Sequence, residues 1–167
     1  VALDKTGTIT EGKPKVTDII TVDKVSGKEL LQTAFSLEEK SEHPLARAIV
    51  EKGEEEGFEA NEVEDFKILP GNGLQAKLQG KALYGGSEKF IESLISVPKE
   101  IKEKVQVLAA DGKTPLYFAL DSKLLGVIAV ADVIKEDSSL AIKELQKLGI
   151  EVVMLTGDNE KTANAIG

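Results

Sequence analysis

The chain contains no cysteine and no tryptophan, a single histidine, and only 4% aromatic residues. The lack of cysteine excludes disulfides and thiolate metal sites. With one histidine as well, it excludes a soft-metal cage built from this segment. It is in keeping with a reducing compartment without establishing one. The scarcity of aromatics predicts aliphatic cores. No apolar run approaches the roughly 20 residues that a membrane-spanning helix needs, and no stretch of the given sequence reads as a signal peptide. There is no initiator methionine, and Val1-Ala2-Leu3 already reads as the inside of a strand. The chain is therefore expected to be cut from a longer protein. Positive charge is in deficit: 21 Lys and Arg stand against 29 Asp and Glu, a formal net charge of −8. That argues against nucleic acid as a partner, because phosphate backbones attract basic stripes. It leaves room for a small phosphorylated ligand, since a local site can be positive and a divalent cation brings its own charge.

What is present is a globular composition of 167 residues, 41% hydrophobic and 30% charged, enough for one large or two small domains. Residues 15–22 read as a strand. Ser26 is placed to cap a helix through Leu30, Leu31, Ala34 and Leu37, and Pro44 suits the first turn of a second helix with Leu45, Ala48 and Ile49 on one face. Short strands are expected over 62–69, 73–78 and 81–84, separated by glycines. Ser87 can cap a helix with Phe90, Ile91 and Leu94 inward. Pro98 opens another, with Ile101, Val105 and Leu108 at helical spacing. Residues 114–120 and 123–130 flank the turn Asp121-Ser122 as a hairpin. Antiparallel strands with helices on one face make this middle region an α+β unit.

The remainder follows α/β grammar. A helix starting at Ser138 or Ser139 carries Ala141, Leu145 and Leu148 and stops at Gly149. Residues 150–155 form a short run that is apolar except for Glu151, as expected of a buried parallel strand. This run and Val1-Ala2-Leu3 are expected side by side in one parallel sheet, each with a polar string at its C-terminal end, the edge at which open sheets bind ligands.

Those strings hold the chemistry. Asp4-Lys5-Thr6-Gly7-Thr8 offers a carboxylate, a cation, hydroxyls and a glycine at a strand end. An Asp there is commonly only a turn former or helix cap. Thr156-Gly157-Asp158 likewise could be an N-cap with a tight turn. Together, in this order and spacing, they resemble the phosphorylation motif and the downstream phosphate-contact motif of P-type ATPases.

The resemblance implies that Asp4 takes the γ-phosphoryl group of ATP. A carboxylate approaching a polyanion meets repulsion of about 4 kcal/mol per charge pair at 4 Å and an effective dielectric of 20. Mg²⁺, Lys5 and backbone N–H groups would offset it. In the family, the Asp carboxylate, the carbonyl of the residue matching Thr6 and a further Asp hold Mg²⁺, so Asp4 and Thr6 are the expected metal ligands. Thr156, Gly157 and Asp158 match residues that, in the family, contact and support the phosphoryl group. The wider fold family resembles haloacid dehalogenases, whose phosphatases have a second Asp two places after the nucleophile. Thr6 cannot act as that acid or base, which suits a longer-lived acyl phosphate.

Ser41-Glu42-His43-Pro44-Leu45 resembles the Ser-Glu-His-Pro-Leu motif of the heavy-metal-transporting subclass, whose His orients adenine. Glu38 matches a Glu accepting from the adenine amino group. Gly71 and Gly73 match a Gly-x-Gly of the ATP pocket; Gly71-Asn72-Gly73 with Ala76 fails as a dinucleotide fingerprint, because residues 74–78 alternate as a strand. A plain turn remains the alternative. Gly85-Gly86 stands where the family commonly has Gly-Asn, so Gly86 lacks one polar anchor. Asp132 and Lys135 match a hinge motif near the phosphorylation site and nucleotide; read bare, they are an exposed ion pair worth little.

The expected fold is α/β: a partial haloacid-dehalogenase-like parallel sheet (residues 1–14 and 131–167) with an inserted α+β, antiparallel-sheet nucleotide-binding domain (residues 15–130). The resemblance implies the ATP-binding cytosolic region of a heavy-metal cation pump, with ATP and Mg²⁺ as cofactors. Its partners would be the transmembrane and actuator domains of the same parent chain, at the cytoplasmic face of a membrane. A Gly-Asp-Gly-x-Asn-Asp segment that the family carries further on is not in the chain, so ATP binding with little or no turnover is expected. The alternatives are a free-standing phosphatase or phosphotransferase of this fold and a non-catalytic nucleotide sensor. The transported ion is not written in this segment.

Overall fold

The computed structural model describes residues 1–155. The strand-forming stretches assemble into two sheets. β1 (Ala2–Asp4) and β8 (Val153–Leu155) pair in parallel, with Ala2 opposite Val153 and Asp4 opposite Leu155. The expected parallel partnership across some 150 residues is therefore present. The expected burial is not: among the described residues this sheet has two strands, and Val153 and Leu155 are about half exposed.

The larger sheet is antiparallel and six-stranded, in the order β2-β7-β6-β5-β4-β3. Its strands are β2 (Thr10–Thr21), β3 (Glu64–Leu69), β4 (Gly73–Leu78), β5 (Lys81–Gly86), β6 (Thr114–Leu120) and β7 (Lys123–Ile134). β2 and β7 are the long members. They form a ribbon that leaves the sheet and reaches the Asp4 loop, with Thr10 opposite Ile134. The segment boundaries expected at 14/15 and 130/131 fall side by side on this ribbon, where Lys15 pairs with Ala131.

Local signals set the helices. α1 (Gly27–Glu38) is capped by Ser26, whose hydroxyl accepts from the Glu29 amide at 3.1 Å. α2 (Pro44–Glu55) begins on proline, which loses no hydrogen bond in a first turn. α3 (Glu88–Glu92) is capped by Ser87, and α4 (Lys99–Ala110) follows Pro98.

These helices cover both faces of the sheet rather than one. Leu30, Leu37, Ala48 and Ile49 of α1 and α2 pack with Leu74, Leu83, Phe118 and Ile128. Phe90, Ile91, Ile101 and Val105 of α3 and α4 pack with Tyr117, Ala119 and Val127. Successive side chains of a strand point to opposite faces, so Tyr117 and Phe118 seed different cores. Both faces of the central strands are apolar, and each needs its own helical layer.

Two helix details differ from expectation. Leu94 is 43% exposed, because α3 stops at Glu92 and the chain turns before Leu94 can point inward. α5 (Glu136–Lys147) starts ahead of Ser138, because that serine donates to the Thr8 carbonyl at 3.2 Å instead of capping. α5 has no buried residue among those described. No described helix is long and apolar enough to cross a membrane.

Candidate functional site

The strand β1 ends on Asp4, whose side chain is exposed at the C-terminal edge of its sheet. The chain then turns through Lys5–Ile9, with Gly7 in the left-handed region at φ 78°. Glycine enters that region without the steric cost of a Cβ. Lys5 and Ile9 are buried.

The turn is held from behind by the ribbon and by the start of α5. The Thr10 hydroxyl, fully buried, lies 3.2 Å from the Lys5 carbonyl and 2.5 Å from Asp132 Oδ2. Asp132 Oδ1 also accepts from the Gly12 amide at 3.0 Å. Lys135 Nζ donates to the Gly7 carbonyl at 2.7 Å, and the Lys135 amide donates to Ile9. Asp132 and Lys135 thus fasten the Asp4 loop to the ribbon. Neither lines the cavity described below.

Thr156 follows Leu155, the partner of Asp4, directly in the chain. Thr156, Gly157 and Asp158 themselves lie outside the described residues. Among the described residues, no group of three or more His, Cys, Asp or Glu side chains is placed to hold a metal ion. The expected donors, the Asp4 carboxylate and the Thr6 carbonyl, are few and hard. Such a set fits Mg²⁺, which keeps much of its water shell.

A cavity of about 550 Å³ opens between the ends of α1 and α2 and the sheet face beneath them. Its walls include Glu38, Ser41, Glu42 and His43, then the turn from Ile68 to Leu74, then Gly85, Gly86 and Ser87, and finally Thr114, Pro115 and Leu116. Glu38, His43, Gly71, Gly73 and Gly85, marked in the sequence and up to 47 positions apart, are brought together here. The volume lies within the range of small-molecule sites, which are largely apolar with a few placed polar groups.

Two of those polar groups are well defined. Glu38, at the last turn of α1, is 6% exposed, and burial pushes its carboxyl up to about 7. It is therefore poised between acid and carboxylate near neutrality. His43 is the N-cap of α2, and its Nδ1 accepts from the Leu45 amide at 3.2 Å. In the neutral ring this bond assigns the proton to Nε2. The cavity wall thus carries a carboxyl and, in the neutral ring, an Nε2–H donor five residues further along the chain.

The glycines separate into two kinds. A Cβ on Gly73 would sit 2.0 Å from the Gly85 carbonyl oxygen, and one on Gly86 would sit 2.3 Å from that of Asn72. These two allow β4 and β5 to close on the β3–β4 turn, where the Ser87 amide donates to Asn72. The missing side chain at Gly86 is thus a packing requirement of this chain. Gly71, at φ 75°, has open space around it and faces the cavity.

Sequence reasoning missed Ile68 and the Thr114–Leu116 wall. Their signal was ordinary strand alternation, which does not say which face lies over a cavity.

Comparison with known proteins agrees with this architecture. The model of the haloacid dehalogenase-like hydrolase family matches residues 1–167. A probable copper-importing P-type ATPase A of Enterococcus hirae is 42% identical over 167 residues, covering 100% of this chain and 22% of that protein. A probable cadmium-transporting ATPase of Staphylococcus aureus is 43% identical, covering 100% of this chain and 24% of that protein. Among solved structures, a zinc-transporting PIB-type ATPase in its E2.Pi state superposes with a TM-score of 0.88 at 34% identity, over 99% of this chain and 26% of that one. The catalytic domain of the CPx-ATPase CopB-B, described for changes upon nucleotide binding, gives 0.69 at 25% identity, over 98% of this chain and 55% of that one. The chain spans under a quarter of the length of these two sequence relatives. It belongs to the haloacid dehalogenase-like hydrolase family, and its similarity throughout is to the matching segment of heavy-metal-transporting P-type ATPases.

Proposed function

We propose that this segment binds ATP in the cavity between α1, α2 and the sheet, and that Asp4 receives the γ-phosphoryl group in a heavy-metal cation-transporting P-type ATPase. The observation that carries the reading is the convergence of Glu38, His43, Gly71, Gly73 and Gly85 on one cavity. The base would enter between the Glu38 carboxyl and His43 Nε2–H. An amino group of adenine would donate to the first, and a ring nitrogen would accept from the second.

The route to Asp4 follows the ribbon. Thr114 lines the cavity and pairs with Val130 on β7; four residues on, Ile134 pairs with Thr10 beside the Asp4 loop. At roughly 3.3 Å per residue that run covers about 13 Å. A base held at one end and a triphosphate extended along β7 would point toward Asp4, and bending of the ribbon would complete the approach.

In the transfer, an Asp4 carboxylate oxygen forms a bond to Pγ as the bond from Pγ to the β,γ-bridging oxygen breaks, and ADP carries away the electron pair. Mg²⁺ held by Asp4 and the Thr6 carbonyl would reduce the repulsion between carboxylate and phosphate. Asp132 and Lys135 hold the loop still, and Thr156, Gly157 and Asp158 would contact the product. Thr6, lacking a carboxylate, would leave the acyl phosphate for other parts of the protein to hydrolyse. The segment would lie at the cytoplasmic face of a membrane, working with transmembrane and actuator domains of the same chain.

The test is an ATP titration of the chain followed by backbone amide shifts. Changes should cluster on residues 38, 43, 71–73, 85–87 and 114–116. Changes confined to other surfaces, or none at millimolar ATP, would overturn the reading.

A further inference from the structure

The cavity wall contains one large apolar side chain left uncovered. Ile68, on the edge strand β3, is 62% exposed and lines the cavity. A lone exposed isoleucine is ordinary. This one is not on an outward face.

Across the sheet, Ile68 stands opposite Leu74, Leu74 opposite Gly85, and Gly85 opposite Phe118. Residues directly opposite share a face. The row Ile68-Leu74-Gly85-Phe118 therefore lies on the side covered by α1 and α2. Phe66, two residues before Ile68, packs on that core, and Leu69 turns to the other one. Within the row, Leu74 is 8% exposed and Phe118 is fully buried. Ile68 remains open because the cavity stands where helical cover would otherwise be. Gly85 itself has no room for a side chain, since a Cβ there would lie 2.8 Å from the Phe118 ring and 2.9 Å from Leu37.

The inner face of a sheet leaves such surface wet only where something else covers it. The opposite wall bears a carboxyl and an N–H donor, which suit the polar edge of a flat heteroaromatic ring. The ring's face needs an apolar partner. We infer that Ile68 is a binding contact for the face of the purine base, burying its exposed methyl and methylene groups when the nucleotide enters.

This inference rests on the proposed nucleotide site and deepens it. It separates Ile68 from residues serving the phosphates, because a base contact acts equally on every adenine ligand. Because Ile68 already faces solvent, shortening it leaves no buried void, and thermal stability should stay unchanged.

The experiment measures dissociation constants of ATP, AMP and adenosine for the wild-type chain, Ile68→Val and Ile68→Ala, with thermal midpoints alongside. Removing the outer carbons of Ile68 should weaken all three ligands by a common factor of about ten in Ile68→Ala, with Ile68→Val between. In wild type, the Ile68 methyl resonances should shift on adding adenosine alone. Wild-type binding with unchanged affinities in Ile68→Ala overturns the role of Ile68 while leaving the nucleotide site standing. A loss seen for ATP but not for adenosine does the same. If the wild-type chain binds none of the three, both the site and this contact are overturned.

Discussion

Glu38 and His43 each hold two jobs that substitution can separate. Burial raises the Glu38 carboxyl from 4.5 to about 7. The folded state thus favours the protonated form, so stability is full below about pH 4.5, falls as pH rises to about 7, and is flat above that. The difference between those two values corresponds to roughly 3 kcal/mol at most. Glu38→Gln removes the ionisation. Its thermal midpoint should exceed that of wild type at pH 8 and match it near pH 4; equal midpoints at pH 8 would mean that the carboxyl is not desolvated. Asp18 works in the opposite direction. The Lys113 ammonium, 2.7 Å away, holds its carboxyl below the usual range, a contribution present above that range and lost in acid. For His43, asparagine can still accept from the Leu45 amide, because Asn is a good N-cap. His43→Asn should keep the thermal midpoint and weaken ATP about tenfold. His43→Ala should lose the cap as well, about 1 kcal/mol. Titration calorimetry beside thermal unfolding checks both, and undiminished ATP binding by His43→Asn would remove the ring from the site.

The meeting of the β3–β4 turn with β5 shows how one glycine motif divides its labour. Gly71 has room for a Cβ but a left-handed φ, so Gly71→Ala should cost about 1 kcal/mol and keep the fold. If the nucleotide lies against it, ATP affinity should fall by more than that loss explains. Gly73→Ala would drive a methyl into the Gly85 carbonyl and should separate β4 from β5, read as loss of cooperative unfolding. Full ATP affinity in Gly71→Ala would assign this turn to folding alone. What was legible at this scale was local. Ser26, Pro44 and Ser87 announced their helices because a cap is written within four residues. The strand positions followed from alternation. Sheet order and the two-sided cover were not legible, because they depend on pairings far apart in sequence, such as Gly85 with Phe118. The start of α5 was missed because Ser138 is drawn to Thr8, 130 residues away.

At the scale of the whole molecule, the described residues form two sheets joined by one ribbon. The Asp-Lys-Thr-Gly-Thr string was legible as a polar turn at a strand end, because it follows an apolar stub directly in sequence. The cavity residues were readable only through resemblance; spacing alone did not bring Glu38 to Gly71. Asp132 and Lys135 were located near the loop but not in their role as its fasteners, since a hinge motif does not say which carbonyl it grips. The account stands on phosphoryl transfer to Asp4 from a nucleotide bound in the distant cavity. The most direct measurement uses an ATPase carrying this segment, given ATP labelled in the γ-phosphate and quenched in acid. The account predicts acid-stable, hydroxylamine-labile label on the peptide containing Asp4, abolished by Asp4→Asn and requiring more ATP in His43→Asn. Label that persists in Asp4→Asn, or that maps to another residue, would contradict it.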